Sequence, residues 1–170
     1  MTVTTNPSPS APISPRVGRI RTVMLATDLT QASDAATETA LELASRLGAR
    51  LLAVSVIDPG SLRLPGGRFR ARIDQVRAEH ERLATELVAR GRSNGVSVDF
   101  LVWEGDPGES IVDAANSEAA DMIIVGSHGR STVGRFLIGS VSDHVVRHAP
   151  CPVLVVRSGS AGPGPAAGFH

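Results

Sequence analysis

The residues best suited to chemistry lie in one run, Gly126-Ser-His-Gly129-Arg-Ser-Thr-Val-Gly-Arg-Phe-Leu-Ile-Gly139-Ser140. It follows the short apolar run Met122–Gly126 and precedes a helical pattern carried by Val141, Val145 and Val146. Ser140, with Asp143 three residues on, is a helix-start signature. The expected geometry is therefore strand, glycine-rich loop, helix N-terminus. Glycines let backbone approach a ligand closely, and a helix's first turn leaves N–H donors unpaired at the positive end of its dipole. The dipole contributes only about 0.3–1 kcal/mol. Charge-assisted hydrogen bonds, about 1.5–3 kcal/mol each, must supply most of the affinity, from several N–H groups and the Ser140 hydroxyl. The chemistry implied is recognition of a phosphate or a nucleotide. There is no GxxxxGK[ST], which sets aside a P-loop NTPase, and no GxGxxG follows the first strand, so the dinucleotide fingerprint is missing. The plainer alternatives are glycines that serve tight turns only and Ser140 as an N-cap.

Other reactive side chains are less organised. His128 has no nucleophile–histidine–acid arrangement around it and reads as a solvated loop residue. His80 falls on the apolar face of a helix, as a core or interface residue. His144 and His148 have chelating spacing but no third ligand in view, so they read as surface histidines and no metal site is expected. Cys151, between Pro150 and Pro152, reads as structurally buried. Asp28 ends the first apolar run and suits either a ligand or, with Thr30, the cap of the first helix. Asp28, Asp58 and Glu104 all fall near strand ends, but nothing in the sequence makes them converge on a metal.

These residues must be held by a scaffold, and its elements are legible. Five short apolar runs, Ile20–Thr27, Leu51–Ile57, Val96–Trp103, Met122–Gly126 and Val153–Val156, are mostly continuous rather than alternating, as in strands buried on both faces. Between them lie helical faces. The first comprises Ala36, Ala40, Leu43, Ala44 and Leu47 and ends at Gly48; the second comprises Ile73, Val76, His80, Leu83 and Leu87 and ends near Gly91. The third comprises Ile111, Val112 and Ala115, opened by Asp106 as N-cap, Pro107 at the first helical position and Glu109 completing a capping box. Repeated strand–helix alternation implies a single-domain α/β fold, a parallel sheet with helices on both faces. The irregular stretch Asp58–Arg72 is long for such a connection, which suits a lid or mere mobility equally.

Length and composition agree. The chain has 170 residues, enough for one domain, and 42% are hydrophobic. Seventeen basic residues balance seventeen acidic ones, so no net field draws it to nucleic acid or anionic lipid. Aromatics make up 3%, too few for a base-stacking platform. Residues 1–18, with four prolines, and 158–170, rich in Gly, Ala and Pro, read as disordered tails around a domain at 19–157. With one cysteine, no signal peptide and no membrane-length apolar run, the expected location is cytoplasmic.

The pattern Gly126-x2-Gly129-x9-Gly139-Ser140 resembles the ATP-binding signature of the universal stress protein family. The resemblance spans the whole structured region. It includes Val23-Met-Leu-Ala-Thr-Asp28, Val54-Ser-Val56-Ile-Asp58, Asp121-Met-Ile-Ile-Val-Gly-Ser-His-Gly129 and Cys151-Pro-Val-Leu-Val-Val156. It implies an open, Rossmann-like five-stranded parallel sheet in the order 3-2-1-4-5. In that order strands one and four form a topological switch point, with Asp28 and Gly126 at the crevice where such sheets bind ligands. The resemblance further implies that Asp28, beside Ala26 and Thr27, bonds nucleotide hydroxyls or the base edge; the family often carries proline where Ala26 stands. Val56 and Val125 would line the adenine pocket. Gly126, Ser127, His128, Gly129, Gly139, Ser140 and Val141 would form the loop that cradles ribose and phosphates, with Arg130 and Arg135 placed to reach the outer phosphates.

The function this implies is an ATP-binding, stress-response regulatory module, not an enzyme, with Mg²⁺ as a candidate companion ion and an unknown protein partner. Two alternatives stand beside it. One is a slow ATPase or a phosphoryl or nucleotidyl transferase, disfavoured because no P-loop lysine, Mg²⁺-binding carboxylate pair or water-orienting base is evident. The other is a nucleotide-independent dimerising scaffold, disfavoured by the intact glycine signature. A homodimer through Val153, Leu154, Val155 and Val156 is expected, because an apolar, uncharged edge strand tends to pair with another chain.

Overall fold

The structure is a computed structural model that describes residues 18–62, 69–127 and 139–157. The expected tails lie outside these residues, save Gly18. The strands are β1 (Thr22–Ala26), β2 (Arg50–Ile57), β3 (Val98–Glu104), β4 (Met122–Gly126) and β5 (Val153–Val156). They form one parallel sheet in the order β3-β2-β1-β4-β5. The helices are α1 (Asp34–Leu47), α2 (Phe69–Ser93), α3 (Pro107–Ser117) and α4 (Ser140–His148), and a short 3₁₀ turn, Gln31–Ser33, precedes α1. No helix among the described residues is long and apolar enough to cross a membrane.

Strand alternation sorts the core into two layers. Val23, Leu25, Leu51, Ala53 and Ile124 face one way, against Ala36, Ala40, Leu41 and Ala44 of α1 and Leu87 of α2. Met24, Leu52, Val54, Ile123 and Val125 face the other, against Ile111, Ala114 and Ala115 of α3 and Val145 of α4. β1 is buried throughout because both of its faces and both of its edges are covered. That is why its sequence is a continuous apolar run.

The helix ends follow their residues. Gly48 closes α1 in the left-handed conformation (φ +61°), and the next N–H, from Ala49, reaches the Ala44 carbonyl at 2.9 Å. Asp106 caps α3 by accepting from the Glu109 N–H at 3.0 Å, with Pro107 beginning the helix.

Several boundaries differ from the sequence reading, each for a local reason. Val96 is buried but is not in β3, because its N–H closes the end of α2 on the Gly91 carbonyl at 2.9 Å. Ile20 lies before β1, whose start is fixed by Asp121; one carboxylate oxygen accepts from the Arg21 and Thr22 N–H groups at 2.8 and 3.0 Å. Those two bonds hold the Asp121 carboxyl below its ordinary range. On α1, Thr37 and Leu41 are buried while Leu47 is exposed, since the helix turns that last position away from the sheet.

Candidate functional site

β1 and β4 are neighbours whose following connections leave in opposite directions, so their carboxyl ends open a crevice. Their last paired residues, Ala26 and Val125, form its floor.

On the β1 side the chain turns sharply. The Thr27 N–H stays in the sheet, donating to the Val54 carbonyl at 3.0 Å, while Thr27 Oγ1 accepts from the Leu29 N–H at 3.0 Å. Leu29 takes a left-handed φ of +58°, a strained conformation for a residue with a side chain. Asp28 holds the turn closed, its Oδ1 accepting from the Thr30 N–H at 3.0 Å and the Thr30 hydroxyl at 2.8 Å. The buried Ser33 hydroxyl donates to the Thr30 carbonyl at 2.9 Å, so the 2.8 Å contact between Thr27 Oγ1 and Ser33 Oγ must use the threonine proton. Asp28 thus closes its own turn and does not cap the first helix, since neither Thr30 nor Ser33, the N-caps of the 3₁₀ turn and of α1, makes a side-chain cap bond; the same carboxylate lines the crevice.

On the β4 side, the ends of the glycine-rich loop are pinned to each other. The Ser127 N–H donates to the Val156 carbonyl at 2.7 Å, and the Ser127 carbonyl accepts from the Gly139 N–H at 2.9 Å. α4 follows at once. Its N-cap is Gly139, not Ser140, which is the first helical residue and is exposed. The reason is backbone geometry: Gly139 is extended (φ −59°, ψ 153°) while its carbonyl already accepts from the Asp143 N–H at 2.8 Å. The side chain that ties this turn down is Ser142, which is buried and donates to the Gly126 carbonyl at 2.6 Å.

Between the two sides lies a cavity of about 320 Å³, at the lower end of the range typical of small-molecule sites. Of the expected site residues, Ala26, Thr27, Asp28, Val56, Val125, Gly126 and Val141 line it. Ser127, Gly139 and Ser140 stand behind or beside it, in the loop anchor and the first turn of α4. His128, Gly129, Arg130 and Arg135 lie outside the described residues.

Several lining residues escaped the sequence reading. Ser33 and Ser142 are isolated serines in the chain and acquire meaning only through contacts with Thr27 and Gly126. Pro107 and Ile111 carry α3 to the wall. The turn after β2 brings Ser61 and Leu62, so the described part of the Asp58–Arg72 stretch borders the cavity, while 63–68 fall outside the described residues. Val76 and His80 come from α2. Arg72, one turn before Val76, has its Nη1 buried without a hydrogen-bond partner among the described residues.

Of the three acidic residues near strand ends, Asp28 and Asp58 line the cavity and Glu104 does not. Glu104 is engaged by Arg77, and Asp58 accepts from the Gly60 N–H at 2.7 Å within its own turn. Among the described residues no three His, Cys, Asp or Glu side chains group to hold an ion. His144 and His148 stack on each other at 4.2 Å. Cys151 is half-buried, and burial, followed by the Asp121 carboxylate, pushes its thiol up and away from thiolate reactivity.

The family model for the universal stress protein family matches residues 19–157. The chain belongs to the universal stress protein family. Within that family it is 36% identical over 138 residues to a universal stress protein of Thermus aquaticus, covering 81% of this chain and 98% of the relative. A family member from Burkholderia pseudomallei superposes with a TM-score of 0.68 at 31% identity, over 81% of this chain and 96% of that one. A universal stress protein solved in complex with cAMP superposes with a TM-score of 0.62 at 26% identity, over 84% of this chain and 100% of that one.

Proposed function

We propose that this chain binds an adenine nucleotide, ATP by preference, in the cavity between β1 and β4, and acts as a regulatory module of a cytoplasmic stress response rather than as an enzyme. The observation that carries this reading is the lining of the cavity, which combines two kinds of surface. The lining includes Gly126, Val141 and Ser142 at the first turn of α4, where small residues and the N–H groups of a helix start suit phosphate. The lining also includes the apolar side chains of Val54, Val56, Ile57, Leu62 and Val76, which suit a base. Asp28 also lines the cavity; its Oδ1 serves its own turn, and its carboxylate suits a ribose hydroxyl. The relative bound to cAMP supports an adenine nucleotide as the class of ligand. The regulatory role, with an unidentified protein partner, follows the family's stress-response character.

Calorimetric titration with ATP, with and without Mg²⁺, on protein cleared of co-purified nucleotide tests the reading. Binding near micromolar, about −8 kcal/mol, is the expected result. No heat at millimolar ATP would leave a dimerising scaffold.

Homodimerisation belongs to the same proposal. β5 is a sheet edge with one free side, and Leu154 is 37% exposed. Charge on such an edge opposes pairing between chains. Light scattering is expected to give twice 17.7 kDa for the parent protein and the monomer mass for Val155→Lys. An unchanged dimer in the variant would move the interface elsewhere.

A further inference from the structure

Leu29 is held in the left-handed region, at φ +58°, between the end of β1 and the short 3₁₀ turn. A leucine there is strained, so the surrounding bonds must over-determine the conformation. They form a relay in which each link donates to the next. The Leu29 N–H donates to Thr27 Oγ1 at 3.0 Å. The Ser33 proton is committed to the Thr30 carbonyl at 2.9 Å, so the Thr27 proton goes to Ser33 Oγ at 2.8 Å. The relay begins at the strained residue and ends at the one after it. Thr27 and Ser33 are both buried, and head-to-tail hydrogen bonds away from water strengthen one another.

Asp28 grips the same residue from its other polar groups. Its Oδ1 accepts from the Thr30 N–H and the Thr30 hydroxyl, while the Thr30 carbonyl is held by the N–H and the hydroxyl of Ser33. Removing the Ser33 hydroxyl leaves the buried Thr27 proton without its acceptor and halves the hold on the Thr30 carbonyl. The backbone at Leu29 can then relax toward negative φ, which carries Thr30 away from Asp28 and lets the carboxylate turn. Asp28 and Ser33 both line the cavity, so the loosened group is one that faces a ligand.

We propose that Ser33 is a positioning residue for Asp28, holding the strained Leu29 turn so that the carboxylate meets the ribose hydroxyls of a bound nucleotide. The proposal rests on the nucleotide reading of the cavity and adds to it a determinant of sugar specificity. Preference for an intact ribose, over a sugar lacking its 2′ and 3′ hydroxyls, depends on a serine outside the glycine signature.

Calorimetry of the full-length protein with ATP and with 2′,3′-dideoxy-ATP, beside thermal melts, tests it. The parent should bind ATP about tenfold more tightly than the dideoxy nucleotide. In Ser33→Ala, ATP affinity should fall about tenfold while dideoxy-ATP affinity stays the same. Ser33→Cys fills nearly the same space with a weaker donor and acceptor, so it should stay folded and show the same selective loss. Leu29→Gly removes the strain itself, because glycine adopts positive φ freely. Alone it should bind ATP like the parent, and in the Ser33→Ala background it should restore both the melting temperature and an ATP affinity within about threefold of the parent. A parent that binds both nucleotides equally overturns the proposal and leaves the nucleotide reading intact. So does a folded Ser33 variant that binds ATP like the parent or loses both nucleotides alike, and so does a double variant that Leu29→Gly fails to rescue. Absence of ATP binding in the parent removes the nucleotide reading, and the proposal with it.

Discussion

Gly139→Val is expected to abolish ATP binding while leaving the domain folded. The backbone at Gly139 is extended, at φ −59° and ψ 153°, a conformation that valine adopts without strain. Both of its backbone hydrogen bonds, to the Ser127 carbonyl and from the Asp143 N–H, are kept by any residue except proline. Valine is a poorer N-cap than glycine, but α4 has no side-chain cap bond to lose here, so stability should fall by about 1 kcal/mol or less. The ligand faces a different situation. On the nucleotide reading proposed above, phosphate oxygens would approach the first N–H groups of α4 beside Gly139, and a branched side chain at this N-cap would crowd that approach. Losing two charge-assisted hydrogen bonds of about 1.5–3 kcal/mol each weakens binding more than a hundredfold. Gly129→Val, on the same argument from the sequence, should do the same. The check is ATP calorimetry beside a thermal melt. Unaltered affinity in both variants would take the loop out of the site, and a collapsed melt would show that glycine is needed for folding instead.

The contrast between Gly139 and His80 shows which parts of the site could be read from the sequence. The glycines and Asp28 announce themselves because each is local, a residue type at a strand end or at fixed spacing from the next, whereas Val125 enters only through the resemblance to the family. The parallel sheet is legible for a related reason, since the runs at β1 and β4 are continuously apolar, whereas the order of its strands comes only from the resemblance to the family. Ser55 and His80 are 25 residues apart and meet only because α2 folds back across β2, so no spacing marks them as a pair. Ser142 looks like any helical serine until its hydroxyl is seen on the Gly126 carbonyl. The misplaced strand ends have a similar origin. Val96 is as β-prone as Val98, and what separates them is that the carbonyl of Gly91 captures the Val96 N–H first. Periodicity identifies which faces are apolar; it does not show which polar groups a distant backbone will claim.

Gly91→Ala sets two such effects against each other, and the structure says which should win. Near the end of a helix, replacing glycine by alanine ordinarily stabilises by about 0.5–1 kcal/mol. Gly91, however, is buried where α2 crosses β3, and a Cβ built there would lie 2.1 Å from Val98 Cγ2 and 3.1 Å from the Val96 carbonyl oxygen. The carbonyl is backbone and cannot step aside. Val98 is β-branched and stiff about χ1, so its methyl has no easy alternative position. Overpacking of this kind costs about 1–3 kcal/mol, occasionally more, which exceeds the propensity gain. Gly91→Ala should therefore lower the melting temperature by several degrees. In the Gly91→Ala background Val98→Ala should restore most of the loss, although alone it destabilises by removing a packed side chain. A double-mutant cycle by thermal or denaturant melting reads the coupling directly, and a Gly91→Ala protein that melts higher than its parent would overturn the packing argument. The effect should reach the cavity as well. α2 is a continuous helix from Phe69 to Ser93, so pushing its far end off β3 tilts the turns that carry Val76 and His80. ATP affinity should fall with stability in Gly91→Ala and recover with it in the double variant, because the same helix that seals the core against β3 forms one wall of the site.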